Sequence, residues 1–102
     1  MEKDIIAYLS DFDIDMRYCI DEKTGEYWYV VSDLFKSLGY KNPSKKVSDM
    51  CPKHRKYQFE SNGGKQYYLC INYHELLKVI LSLRKNHKFE EIQDFILKKL
   101  AH

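Results

Sequence analysis

A single small α+β domain follows from three observations in the sequence. Two runs of aromatic and β-branched residues, 16–31 and 57–71, alternate apolar with polar positions and are each broken by a glycine-bearing turn. Apolar residues recur at helical spacing before, between and after those runs. A chain of 102 residues with 44% hydrophobic side chains supplies one core and leaves no room for a second domain. The predicted architecture is two antiparallel β-hairpins, two short helices between them, and N- and C-terminal helices packed on the sheet. Residues 1–15 form the N-terminal amphipathic helix and connector, and residues 16–102 the main domain.

Each element has its own signal. Residues 2–12 place Ile5, Ile6, Leu9 and Phe12 at helical spacing behind an acidic first turn that suits the helix dipole. Asp11, Asp13 and Asp15 alternate with Phe12 and Ile14 as a solvated connector, because the glycine and closing glutamate of a calcium loop are missing at the required offsets. A strand over 16–20, a polar loop over 21–26 and a returning strand over 27–31 make the first hairpin. Ser32 or Asp33 then caps a helix of about two turns, with Leu34, Phe35 and Leu38 on its apolar side and Gly39 as its left-handed stop. Asn42 is the next N-cap, Pro43 suits the first helical position, Val47 and Met50 fall on one side, and Pro52 ends the segment.

Asn62-Gly63-Gly64 is a hairpin turn between strands over 57–60 and 65–71, since asparagine and glycine reach positive φ cheaply. Asn72 followed by Glu75 has capping-box spacing, and Leu76, Leu77, Ile80, Leu81 and Leu83 give the next helix a broad apolar face ending at Arg84-Lys85. A last helix over 88–100 turns Phe89, Ile92, Phe95, Ile96 and Leu100 inward.

Charge is distributed unevenly. Residues 1–40 carry four basic against nine acidic side chains, residues 41–65 seven against two, and residues 66–102 six against four. An acidic head beside a basic middle points to a surface for a polyanion. The odd cysteines Cys19, Cys51 and Cys70 argue against a disulfide framework and for free thiols in a reducing cytoplasm. No apolar run approaches the ~20 residues that cross a bilayer, and the start has no signal-peptide pattern. A soluble cytoplasmic protein with no membrane contact is expected.

Lys41, Lys45 and Lys46 around the Asn-Pro turn, with Lys53, Arg55 and Lys56 beyond it, are placed to neutralise phosphates of double-stranded DNA. Asn42 has two uses open to it, a cap or a base edge. Arg55 is the candidate for a base contact, because its planar fork matches a guanine edge. Lys65 at the hairpin tip is a further phosphate contact, and Arg84 and Lys85 join the set or serve the helix dipole. Tyr27, Trp28, Tyr29, Tyr67 and Tyr68 are base-stacking candidates, although adjacent strand residues point to opposite faces and core packing accounts for most of them. Cys51 and His54, with Cys70 and His74, have spacings compatible with zinc, against which Cys70 sits in an alternating strand. No nucleophile has a base motif and no glycine loop cradles a nucleotide, so neither an enzyme nor a cofactor is expected.

Several of these residues also carry a family pattern: Trp28, Val30 and Val31, Asp33, Leu38-Gly39-Tyr40, Asn42-Pro43, Lys46 and Val47, Gly63-Gly64-Lys65, Leu69, Ile71-Asn72, Leu76, and the SLRK of residues 82–85. In this order and at this spacing the chain, from about residue 16 to about residue 100, resembles the BRO family N-terminal domain (Bro-N) of phage antirepressors and large DNA virus proteins. The last helix keeps the aromatic spacing and departs from the family in lacking a tryptophan and a closing Leu-Pro. The resemblance implies an α+β domain that binds DNA in a phage or viral regulator, acting in antirepressor-like transcriptional control within a bacterial or infected host cell. A second copy of the chain is a further expected partner, since dimers match two half-sites. The alternative is a phage or viral protein that binds and inhibits a host or phage protein through its acidic first helix and aromatic strands.

Overall fold

The computed structural model describes residues 2–83 and 87–100, the described side chains being those outside 2–4, 44, 61, 87–89, 99 and 100. Along the chain run α1 (Glu2–Ser10), β1 (Tyr18–Ile20), β2 (Tyr27–Val30), α2 (Val31–Ser37), α3 (Pro43–Met50), β3 (Arg55–Ser61), β4 (Gly64–Asn72), α4 (Tyr73–Ser82) and α5 (His87–Leu100). The four strands form one antiparallel sheet in the order β1-β2-β4-β3, and with five helices the domain is α+β.

Strand alternation divides the sheet into two unlike faces. Tyr29 and Ile71, opposite each other in the register, belong to the main core with Leu34, Phe35, Val47, Leu76, Ile80, Ile92 and Ile96. Trp28, Val30 and Cys70 point the other way and form a smaller cluster, closed by Cys19, Tyr57, Phe59 and Tyr68. The sheet curls around that smaller cluster until its two edges meet. The Tyr57 hydroxyl of β3 donates to the Asp21 carboxylate just past β1 at 3.0 Å.

The terminal helices share the main core with Tyr29 and Ile71 of the sheet, in broad agreement with the expected arrangement. The broadest helix contacts with the sheet are made by α2 and α4, while α5 packs on α4. Ile5 and Leu9 of α1 are buried in the main core, and the Tyr8 ring stacks on Phe95 of α5 at 3.9 Å between centroids. The Tyr8 hydroxyl donates to the Glu91 carbonyl at 3.2 Å. Gln93, buried in α5, donates to the carbonyls of Ile80 and Leu83 at 2.9 and 3.0 Å, so one side chain serves two carbonyls where α4 runs out of internal partners. The side chains of Phe89 and Leu100, expected to face inward, lie outside the described residues.

Caps explain three helix boundaries. The Asn42 side chain accepts from the Lys45 amide at 3.3 Å with Pro43 opening α3, and Asn72 accepts from the Glu75 amide at 3.0 Å to open α4. Gly39, at φ 86°, ends α2 in a Schellman arrangement: the Gly39 amide donates to the Lys36 carbonyl and the Tyr40 amide to the Phe35 carbonyl, both at 3.1 Å. The Tyr40 and Phe35 rings complete it with an edge contact at 5.4 Å.

One expectation needs correction. Neither Ser32 nor Asp33 caps α2, which starts at Val31 straight out of β2 with no side-chain cap. Asp33 instead sits in the first turn and accepts from Arg17. The second hairpin turns at Asn62-Gly63-Gly64 as expected, and the positive φ falls on Gly64, at 108°.

Candidate nucleic-acid interface

The cationic residues of the 41–65 segment fall on three neighbouring stretches of chain. Lys41 and Asn42 are exposed in the turn before α3, Lys45 is exposed on α3, and Lys46 is half-buried with its ammonium 5.1 Å from the centre of the Tyr40 ring. Lys53 is exposed in the link from α3 to β3, and Lys56 and Lys65 are exposed on β3 and β4. Among the described residues no ion pair engages any of these lysines. Arg84 and Lys85 lie outside the described residues.

The strands that carry Lys56 and Lys65 run well beyond the shorter β2, and this builds an arm. β2 pairs with β4 only at residues 70–72, whereas β3 pairs with β4 from Arg55 opposite Cys70 to Ser61 opposite Gly64. Residues 56–61 and 64–69 therefore pair only with each other within the sheet, as a two-stranded ribbon of about 20 Å at ~3.4 Å per residue. Tyr57, Phe59 and Tyr68 are on its inner face, half-buried against the smaller cluster, with Phe59 and Tyr68 edge to face at 5.8 Å. Its outer face carries Lys56, Gln58, Glu60, Lys65 and Tyr67, all exposed, Tyr67 to 67%. In the register Gln58 is opposite Tyr67, and Glu60 opposite Lys65.

This outer face is the continuation of the sheet face that bears the helices. Tyr29 and Ile71 on that face share the main core with Val47 and Cys51 of the α3 segment. The lysines of α3 and the outer face of the arm consequently lie on the same side of the sheet.

Arg55 is placed differently from the lysines. It alternates with Lys56, so it points to the inner face, where its guanidinium lies 4.7 Å from the centre of the Trp28 ring and 4.0 Å from the Asp21 carboxylate. Asp21 also accepts from the amides of Lys23 and Thr24 at 2.8 and 3.1 Å, and these bonds, then Tyr57 and Arg55, hold its carboxyl below the usual carboxylate range. The Arg55 side chain is nonetheless 62% exposed, so these contacts orient the planar fork without enclosing it.

Arg17, which the sequence marks for no function and which lies just before β1 rather than in it, has a parallel role. Its side chain donates two bonds to Asp33, both at 2.9 Å, its amide donates a third at 3.0 Å, and its guanidinium stacks 4.2 Å from the Tyr68 ring centre. The Asp33 bonds hold the guanidinium charged well above its ordinary range. Of the aromatics weighed for base stacking, Trp28 and Tyr29 are buried, Tyr27 and Tyr68 are half-buried, and Tyr67 stands out from the surface.

The residues weighed as a zinc set are divided between clusters. Cys51 is buried in the main core and Cys70 in the smaller one, on opposite faces of the sheet. His54 bonds through Nδ1 to the Cys51 carbonyl, and no group of three or more metal-ligating side chains occurs among the described residues. No helix among the described residues is long and apolar enough to cross a membrane.

Comparison with curated proteins gave no match, and neither did comparison with solved structures. A family model described as the BRO family, N-terminal domain, matches residues 15–101, which takes in both hairpins, α2 to α4 and the described part of α5. With most of its length under that match, the chain belongs to the Bro-N family.

Proposed function

We propose that this chain is a DNA-binding domain of a phage or viral regulatory protein, acting in antirepressor-like transcriptional control. The observation that carries the reading is the set of lysines of α3, its following link and the arm, none of them in a described ion pair and those of α3 and the arm on one side of the sheet. Such ammonium groups are free to replace counterions along a phosphate backbone. Membership of the Bro-N family supports the same reading. The protein-partner alternative has less to rest on, because the apolar residues Ile5 and Leu9 of α1, with Trp28 and Tyr29 of β2, are buried within the domain.

Fluorescence anisotropy with mixed-sequence duplex DNA across a salt series tests the proposal. Wild-type affinity should fall steeply with salt. A variant with Lys45, Lys46, Lys53 and Lys56 changed to alanine should bind more weakly, its slope flatter by about 0.9 for each phosphate contact removed. An unchanged slope in the folded variant would reject this surface, and absence of binding by the wild type at low salt would reject duplex binding.

A further inference from the structure

We infer that the arm of β3 and β4, rather than α3, reads DNA sequence: its outer face enters the major groove, with Gln58 hydrogen-bonding an adenine edge. This rests on the duplex-binding reading above and assigns the two cationic elements different tasks, α3 positioning the backbone and the arm discriminating bases.

The arm has the shape of a groove-reading element. A two-stranded ribbon is one of the two elements that the ~12 Å-wide major groove admits. The chain builds such a ribbon beyond the point where β2 stops pairing, about 20 Å long and with one face exposed beyond its root, where Leu69 packs on the main core. The other face is not available, since Tyr57, Phe59 and Tyr68 are held against the smaller cluster. Entry into the groove therefore presents Lys56, Gln58, Glu60, Lys65 and Tyr67.

Chemistry then narrows the choice. Lys56 near the root of the arm and Lys65 near its tip place an ammonium group at each end of the exposed face for phosphate contacts, the second across the register from the Glu60 carboxylate. Between them Gln58 is exposed on β3, and its amide offers a donor and an acceptor together, the pair that matches adenine N7 and N6. Gln66 is on the inner face and already accepts from the Tyr68 hydroxyl at 2.7 Å. Arg55 is turned inward over Trp28. Tyr67, directly across from Gln58, places a ring beside the same base step, where it can meet a thymine methyl.

The test is selection of a preferred site from a duplex library randomised at its centre, followed by anisotropy titrations of the selected and a scrambled duplex. The proteins compared are wild type, Gln58→Ala, Gln58→Glu and Lys45→Ala, each checked for an unchanged melting temperature. The expected result is a selected site containing an adenine at which Gln58→Ala lowers the ratio of selected to scrambled affinity by about tenfold. Lys45→Ala should weaken both duplexes alike. Gln58→Glu should move the preference at that position from adenine to cytosine, whose amino group a carboxylate accepts from, an outcome that a structural role for Gln58 does not produce.

A ratio unchanged in both Gln58 variants, or a wild type with no preference among duplexes, overturns the assignment of base reading to the arm while leaving duplex binding in place. Absence of duplex binding by the folded wild type overturns both readings together.

Discussion

Replacing Leu9 with alanine removes a side chain that has no exposed surface and packs in the main core although it precedes the residues matched by the Bro-N family. Leucine-to-alanine changes at fully buried sites cost about 3–5 kcal/mol, the larger values where the cavity cannot collapse. Leu9 is enclosed by a short helix that Tyr8 also ties to α5 through the Phe95 ring and the Glu91 carbonyl, so α1 has some freedom to settle and the lower end, about 3 kcal/mol, applies. Against a total of roughly 5–15 kcal/mol for a domain of this size, that is a large fraction. At about 4–8 °C per kcal/mol the melting temperature should fall by roughly 12–24 °C. Circular dichroism melts give the shift, and urea titration should show a lower midpoint at an unchanged slope. Ser10→Ala, at an exposed position one residue along, is the control and should stay within about 0.5 kcal/mol of wild type. A Leu9→Ala melt within about 2 °C of wild type would refute the claim that α1 is part of the core.

Two further outcomes follow from the electrostatics. Asp21 has a folded-state pKa below its ordinary value of 3.8, so its contribution to stability is complete above that value and is lost as pH falls through the lowered one. Melting temperatures measured from about pH 6 to about pH 2 should therefore fall further for wild type than for Asp21→Asn, with the excess appearing below about pH 4, and parallel curves would show that Asp21 is not the titrating group. Burial pushes the Cys51 thiol up to about 11 and the Cys70 thiol up to about 12, while Cys19 is only half-buried. Iodoacetamide at neutral pH, read by peptide mass spectrometry, should modify Cys19 first and reach the other two only when the domain unfolds; equal rates at all three would contradict their placement.

Local signals were legible where one residue type does a job few others can do. Asn42 and Asn72 as caps, Pro43 in the first turn of α3, and Gly39 in the left-handed position were all readable, because each satisfies backbone groups within a few residues of itself. Asp33 misled for the same reason: it has the chemistry of a cap, and only the fold brings Arg17 close enough to claim its carboxylate. The order β1-β2-β4-β3 and the overhang of β4 beyond β2 depend on which strand lies beside which, information that alternation alone does not contain. Arg55 shows the limit for the candidate site. Its charge was evident, but its direction depended on the register that sets it opposite Cys70 and over Trp28.

The two-faced arm also sorts its residues by how freely they can change. Tyr57, Phe59 and Tyr68 help to hold the curl of the sheet together, so replacing them puts folding at risk. Lys56, Gln58, Lys65 and Tyr67 alternate with them and are exposed, and substitutions at such positions usually shift stability by less than about 0.5 kcal/mol. If the arm reads bases as inferred above, a new specificity can arise by single changes at every second residue without first finding a compensating stabiliser. The arm is thus a surface on which variation costs the fold little.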